Sequence, residues 1–252
     1  MGFKDQIAYR IYAAIRMLIF MIVPLITIAI WSAIYGASGS AHLGGYSFRE
    51  MEIYILFNAA LIMFITTDLT ERFSMGVFDG SVARFLIKPV GIVGQNILYM
   101  SAELAVSSIP MVVAIAALVF FHIPISLMSA FAIIISAALG FLVLQLIWFI
   151  INVSSVYFTN VFGFYSLFWT LNGIVGGTLI PLTLLPHALY SAFSLSPLQF
   201  AFYLPSALVV GTISPQYAFS LIPLGAAWVI ALFALGYIEW KHAIKRINSV
   251  GV

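Results

Sequence analysis

Apolar residues fill this chain in long blocks, separated by short segments that contain charges, prolines or glycines. A helix of about 20 apolar residues crosses the hydrocarbon core of a bilayer, and six blocks have about that length. These blocks are residues 17–36, 51–69, 97–121, 127–151, 158–180 and 217–238. The pattern predicts an all-α polytopic membrane protein with six transmembrane helices, and one membrane domain over residues 1–252.

Charged residues are scarce and unevenly placed. They make up 7% of the chain, against roughly 25% in a soluble domain, and none lies between Glu103 and Glu239. A charge at the centre of a membrane helix costs about 2.5–3.5 kcal/mol on insertion scales. The second half of the chain therefore offers no buried carboxylate to couple transport to an ion. The sequence also contains no phosphate-binding loop of the G-x-x-x-x-G-K-[ST] type.

The basic residues predict the orientation. All Lys and Arg residues except Arg49 fall on one side of the six predicted spans. Because cytoplasmic loops are enriched in Lys and Arg, this side is the cytoplasmic side. We therefore expect a multi-pass protein of the plasma (inner) membrane with both termini in the cytoplasm.

The apolar segment 185–215 is not counted as a span. An extra crossing would place the C-terminal Lys and Arg residues outside, and proline is too frequent here for one clean helix. The prolines are Pro186, Pro197, Pro205 and Pro215. We predict a re-entrant helical segment, in which a pair of short helices enters the outer leaflet and returns before the last span.

Two segments outside the spans have a distinct character. Residues 2–16 place Phe3, Ile7 and Ile11 on one helical face, which predicts an amphipathic helix lying in the cytoplasmic interface. Residues 71–90 form the longest cytoplasmic loop. Within it, a short helix would present aromatic and aliphatic side chains next to basic ones, a composition typical of a protein interface.

Polar residues inside the spans suggest two alternative roles. Three asparagines either line a transport path or form hydrogen bonds to neighbouring helices. They are Asn152, Asn160 and Asn172. Aromatic residues near the span ends, such as Trp31 and Tyr54, are interpreted as anchors at the membrane interface. We predict no catalytic residue, cofactor or metal site. Gly36-Ala37-Ser38-Gly39 matches the G-x-S-G of rhomboid-like intramembrane proteases, but this serine lies at the outer end of the first span and not within the membrane, and the chain has no cysteine.

Two local patterns resemble one transporter family. After Gly76 the chain reads Leu86-Ile87-Lys88-Pro89-Val90, which is similar to a G…L-L-[RK]-P-V run of these proteins. The segment before the last span is similar to the G…P-L…L-P…P-L pattern of the family. The matching residues are Gly176-Gly177, Pro181-Leu182, Leu185-Pro186 and Pro197-Leu198. With the six spans, these patterns resemble an ABC-2-type export permease, the membrane subunit of an ATP-binding-cassette exporter.

The resemblance implies a non-catalytic subunit with two protein partners. A separate ABC-type ATPase would bind ATP and Mg²⁺. A second permease subunit, identical or related, would form a dimer with this chain within the membrane lipid and complete the transport path. A nucleic-acid partner is not expected. The cytoplasmic loop would couple to the ATPase through Phe78, Asp79, Arg84, Phe85 and Leu86. The alternative is a secondary transporter or channel without an ATPase, which would be expected to show internal repeats or paired broken helices.

Overall fold

The computed structural model describes residues 22–65, 108–158 and 162–249. These residues are almost entirely helical, and eight α-helices are described. They are α1 (Ile22–Ser38), α2 (Phe48–Ile65), α3 (Ser108–Phe120), α4 (Leu127–Val153), α5 (Phe162–Val175), α6 (His187–Phe193), α7 (Tyr203–Val210) and α8 (Pro215–Ser249). A short antiparallel hairpin between α1 and α2 joins β1 (His42–Leu43) to β2 (Tyr46–Ser47), with His42 opposite Ser47.

The predicted all-α character is confirmed in the residues that the structure describes. In the described part of the chain, two helical stretches are long and apolar enough to cross a membrane, Leu127–Val156 and Pro215–Arg246. Helices α1 and α3 are shorter apolar helices within or next to predicted spans. The predicted interfacial helix over 2–16 and the coupling loop over 71–90 lie outside the described residues.

Local hydrogen bonds explain where two of the long helices begin. Ser47 precedes α2, and its backbone N–H donates to Glu50 Oε2 at 2.7 Å while the Glu50 N–H donates to Ser47 Oγ at 3.4 Å. This reciprocal pair is a capping box. Ser126 caps α4 by accepting a hydrogen bond from the Ser129 N–H at 3.0 Å. Both caps supply acceptors for N–H groups that have no partner within the helix.

Helices α2, α4 and α8 run in the same direction. Gln145, in the second half of α4, donates to the carbonyl of Ile65 at the end of α2, at 3.4 Å. Ser154, just after α4, hydrogen-bonds Glu239 in the last third of α8, at 2.7 Å. All three helices therefore start at the end of the bundle that carries the β-hairpin, which is called the hairpin end below.

Helix α5 runs in the opposite direction, towards the hairpin end. Near its start, Tyr165 donates to Oδ1 of Asn152 in the last turn of α4, at 2.6 Å. Just after its end, the carbonyl of Gly177 accepts a hydrogen bond from Tyr54 in the first half of α2. The antiparallel arrangement of α4 and α5 is the one expected for consecutive membrane helices joined by a short connection.

Candidate functional site

The predicted coupling residues cannot be placed. Residues 66–107 lie outside the described part of the chain, and this range contains Phe78, Asp79, Arg84, Phe85 and Leu86. The candidate path residue Asn160 lies in a second undescribed range, 159–161. The other two candidate path residues, Asn152 and Asn172, are described. So is the whole broken segment between α5 and α8, which the sequence singles out.

The chain enters this segment at the hairpin end and then descends into the bundle. A Cβ atom on Gly44 of the hairpin would lie 2.5 Å from Cδ2 of Leu184, so the chain is at the hairpin end at this point. After α6, the carbonyl of Leu195 accepts a hydrogen bond from Trp228 Nε1 at 2.9 Å. Trp228 lies about 20 Å along α8 from Pro215, at about 1.5 Å per residue. The chain has thus moved far from the hairpin end.

The segment turns back towards the hairpin end around Phe200 and Ala201. Gly140, near the middle of the 27-residue α4, packs against the backbone of both residues, and a Cβ atom on Gly140 would overlap Ala201 Cα. On the other side, a Cβ on Gly225 of α8 would lie 3.0 Å from Phe200 Cε1. Both glycines permit an approach of helix and turn that a side chain would block. The turn therefore sits between α4 and α8, near their middle.

The chain returns to the hairpin end through α7. The residues from Tyr203 to Val209 are all buried in the bundle. Gly211 ends this helix in the left-handed conformation, at a φ of 85°. Next, Thr212 Oγ1 donates to the hydroxyl of Tyr46 in β2 at 3.0 Å. The segment thus forms a loop that begins and ends at the hairpin end and has its turn in the middle of the bundle.

Buried tyrosines connect this loop to the hairpin and to α2 through hydrogen bonds and ring contacts. The Tyr35 hydroxyl donates to the Tyr46 carbonyl at 2.7 Å, and the rings of Tyr46 and Tyr54 meet edge to face with centroids 5.6 Å apart. Burial raises the pKa of Tyr46 to about 12. The hydroxyl is therefore neutral at physiological pH and can remain a hydrogen-bonding group.

The end of α5 joins the same cluster through the glycine pair that the sequence pattern contains. Gly177 has a φ of +75°, and a Cβ there would lie 2.9 Å from Tyr203 Cβ and 3.0 Å from the Tyr54 hydroxyl. Glycine is needed at this position both for the backbone conformation and for the close approach. Helix α5, the broken segment and α2 meet here.

Asn152 connects two helices. Its side chain is buried, its Nδ2 donates to the Trp148 carbonyl at 2.7 Å, and its Oδ1 accepts from the Tyr165 hydroxyl at 2.6 Å. The Trp148 and Tyr165 rings also stack, with centroids 5.1 Å apart. The Nδ2 bond lies within α4, and the Oδ1 bond holds α4 to α5.

Asn172 is different. Its side chain is 0% exposed, and neither Nδ2 nor Oδ1 has a hydrogen-bond partner among the described residues. The amide packs over Gly176, where a Cβ would overlap Oδ1. A buried amide without partners costs about 1–3 kcal/mol, so such a group calls for a functional or structural explanation.

The interpretation of Tyr54 as an interfacial anchor was wrong. Tyr54 is 1% exposed and donates to the Gly177 carbonyl, so it faces protein instead of the lipid interface. Asn58, one turn further along α2, is also buried and was not singled out from the sequence. A spacing of four residues between Tyr54 and Asn58, within the apolar part of α2, is the signal that could have indicated a shared buried face.

Within residues 22–65, 108–158 and 162–249, no group of three or more His, Asp or Glu residues is placed to hold a metal ion. The arrangement described above can bind and pack through hydrogen bonds and apolar contacts, and its polar groups are amides and hydroxyls.

Comparison with known families agrees with the motifs. The model of a family described as ABC-2 family transporter protein matches residues 13–251. No curated protein and no solved structure matches the chain. The family match includes the broken segment and nearly all of the sequence, and on this evidence the chain is a membrane protein that belongs to the ABC-2 transporter family.

Proposed function

We propose that this chain is the permease subunit of an ATP-driven exporter. It forms a transport path with a second permease subunit, identical or related, and a separate ABC-type ATPase supplies the energy. The observation that carries the proposal is the family match over residues 13–251. Co-purification of an ABC-type ATPase with the chain from native membranes tests it.

The geometry of the broken segment supports a re-entrant loop in the outer leaflet. The basic residues assign the hairpin end to the outer face. The turn at Phe200 and Ala201 then lies roughly 15–20 Å along α4 and α8 from their outer ends, at about 1.5 Å per residue. The hydrocarbon core is about 30 Å thick, so the turn reaches approximately its middle. Two short helices that descend and return keep the number of crossings even.

The cytoplasmic loop is proposed as the contact with the ATPase. Phe85 and Leu86 would supply apolar anchors, while Phe78, Asp79 and Arg84 surround them. The absence of a phosphate-binding loop in the sequence supports a division of labour in which nucleotide chemistry occurs on another chain. ATP-dependent closure of the ATPase would shift the permease between two conformations.

The proposed topology predicts which side labels single cysteines. The native chain has no cysteine, so each introduced cysteine is the only target for a membrane-impermeant thiol reagent. Cysteines at His42 and Ser214, which are exposed at the hairpin end, should react only from outside. Cysteines at Ser81 and Ser249 should react only from the cytoplasm. Labelling at Ser249 from outside would contradict the six-span topology.

The contrast between the two described asparagines predicts opposite effects of leucine. Asn152→Leu removes the acceptor of the Tyr165 hydroxyl and should lower stability by about 1 kcal/mol. Asn172→Leu is of similar size, removes no hydrogen bond to a described residue, and should leave the melting temperature unchanged or raised. Thermal unfolding followed by size-exclusion chromatography measures both effects.

Asn172 is proposed to act in the path, where its amide would bind polar groups of the cargo once the ATP-dependent change of conformation exposes it. Asn172→Leu should then impair export, measured as rescue of a strain that lacks the chain, without a loss of folded protein. If Asn172→Leu destabilises the chain as much as Asn152→Leu, the amide has a structural partner and the proposed path role is wrong.

A further inference from the structure

An apolar slot opens on the side of the bundle between α2, α3 and α4. Its volume is about 780 Å³, and every residue that lines it is apolar. Phe64 and Phe141 contribute rings from α2 and α4, with centroids 6.1 Å apart, and Val209 of the buried α7 closes the inner side. Ile115 and Ile134, at the rim, are 50% and 64% exposed.

The length of the slot matches one leaflet of a bilayer. Along α4 it runs from Ala130 to Leu142, which corresponds to roughly 18 Å at about 1.5 Å per residue. Half of the hydrocarbon core measures about 15 Å. The α3–α4 connection lines the slot through Ile123 and Ile125, so one end lies near the hairpin end and the other near mid-membrane.

The slot is elongated, with a volume of about 780 Å³ spread over roughly 18 Å. This shape accommodates an extended occupant that lies along α4.

The chemistry of the slot excludes water. A bound water molecule needs two to four polar partners, and the lining supplies only apolar side chains. Met111, which also lines the slot, is unbranched and can adapt to an irregular apolar occupant. An occupant that is long, thin and apolar has the shape and chemistry of a hydrocarbon chain.

We propose that the slot binds one acyl chain of a membrane phospholipid from the outer leaflet. This inference rests on the proposed function, because it requires α2, α3 and α4 to lie in the bilayer. The bound chain contacts Val209 on α7, and therefore supports the re-entrant segment from the lipid side. The lipid is a structural ligand, held at a defined place, in contrast to the mobile lipid around the other apolar surfaces.

Photolabelling of the full-length protein in bilayers tests this site. The probe is a phosphatidylcholine with a photoreactive diazirine in the middle of one acyl chain. Ala138→Phe places a ring in the slot, and Ala116→Phe is the matched control, because Ala116 is also an exposed alanine of an apolar helix but does not line the slot. Mass spectrometry of peptides locates the adducts.

In the wild type, we expect about one adduct per chain, concentrated on the slot-facing peptides of α3 and α4. Ala138→Phe should reduce this labelling roughly fifteenfold, since the ring displaces about two methylenes and each contributes about a fourfold factor to binding. Ala116→Phe should label like the wild type. If Ala138→Phe yields no folded protein, Ile134→Trp at another exposed slot position should give the same loss.

Adducts spread evenly over α3, α4 and α8, or unchanged labelling in a folded slot variant, would overturn the proposal. The measurement needs neither the ATPase nor export. If the lipid does not bind in the slot, an ABC-type ATPase should still co-purify with the chain. If the proposed function is wrong, no ABC-type ATPase should co-purify.

Discussion

Replacing Phe85 and Leu86 together with alanine is expected to abolish export while the permease remains folded in the membrane. If these side chains fill a groove on the ATPase, they are buried anchors of the interface, and truncation of such an anchor costs about 2 kcal/mol or more. This corresponds to a loss of affinity of about thirtyfold or more. The measurement compares the amount of permease in the membrane with the amount of ATPase that co-purifies.

Arg84→Glu is the control within the same loop. A charge at the rim of an interface mainly changes the association rate and the salt dependence, so this variant should keep its ATPase at low salt better than the double alanine variant does. If the double variant retains its ATPase in full, the assignment of Phe85 and Leu86 to the coupling contact is wrong.

Gly140→Ala is expected to destabilise the permease although it adds a single methyl group. The new Cβ would overlap Cα of Ala201 and would meet the Phe200 carbonyl oxygen and the Ala201 nitrogen. These are backbone atoms, so no flexible side chain can move aside. Overpacking of this kind costs about 1–3 kcal/mol, and thermal unfolding of the purified protein should show a lower midpoint.

Gly163→Ala is the matched control. Gly163 also lies in a helix, and a Cβ at this position would have no atom within 4 Å. Alanine exceeds glycine in helix propensity by about 1 kcal/mol, so this variant should be as stable as the wild type or more stable. Equal melting temperatures for Gly140→Ala and the wild type would show that the turn at Ala201 does not pack into α4 as described.

The positions of the long helices could be predicted because burial in a membrane demands unbroken apolar runs. Helices α4 and α8 begin within two residues of the predicted spans, at Leu127 and Pro215. Proline also predicted a broken segment over 185–215, and two short helices, α6 and α7, are described within it. The family likeness inferred from the Gly176-Gly177 and Pro181-Leu182 patterns is confirmed by the match over 13–251.

Contacts between distant parts of the chain could not be predicted. Gly140 and Gly225 have no special appearance in their apolar helices, yet the turn at Phe200 packs between them, and at Gly140 the approach of its backbone leaves no room for a side chain. The burial of Tyr54 depends on Gly177, more than a hundred residues later in the sequence. The same limitation applies to Asn152 and Asn172, because only the presence or absence of a partner distinguishes these two buried amides.

The central claim is that the chain works as the membrane subunit of an ATP-driven exporter. Affinity purification of the chain from native membranes in mild detergent, followed by quantitative mass spectrometry, tests this most directly. We predict that an ABC-type ATPase co-purifies in a fixed ratio to the permease and hydrolyses ATP. If no ABC-type ATPase co-purifies with the wild-type chain, the proposal is contradicted and the alternative of a secondary transporter or channel is favoured.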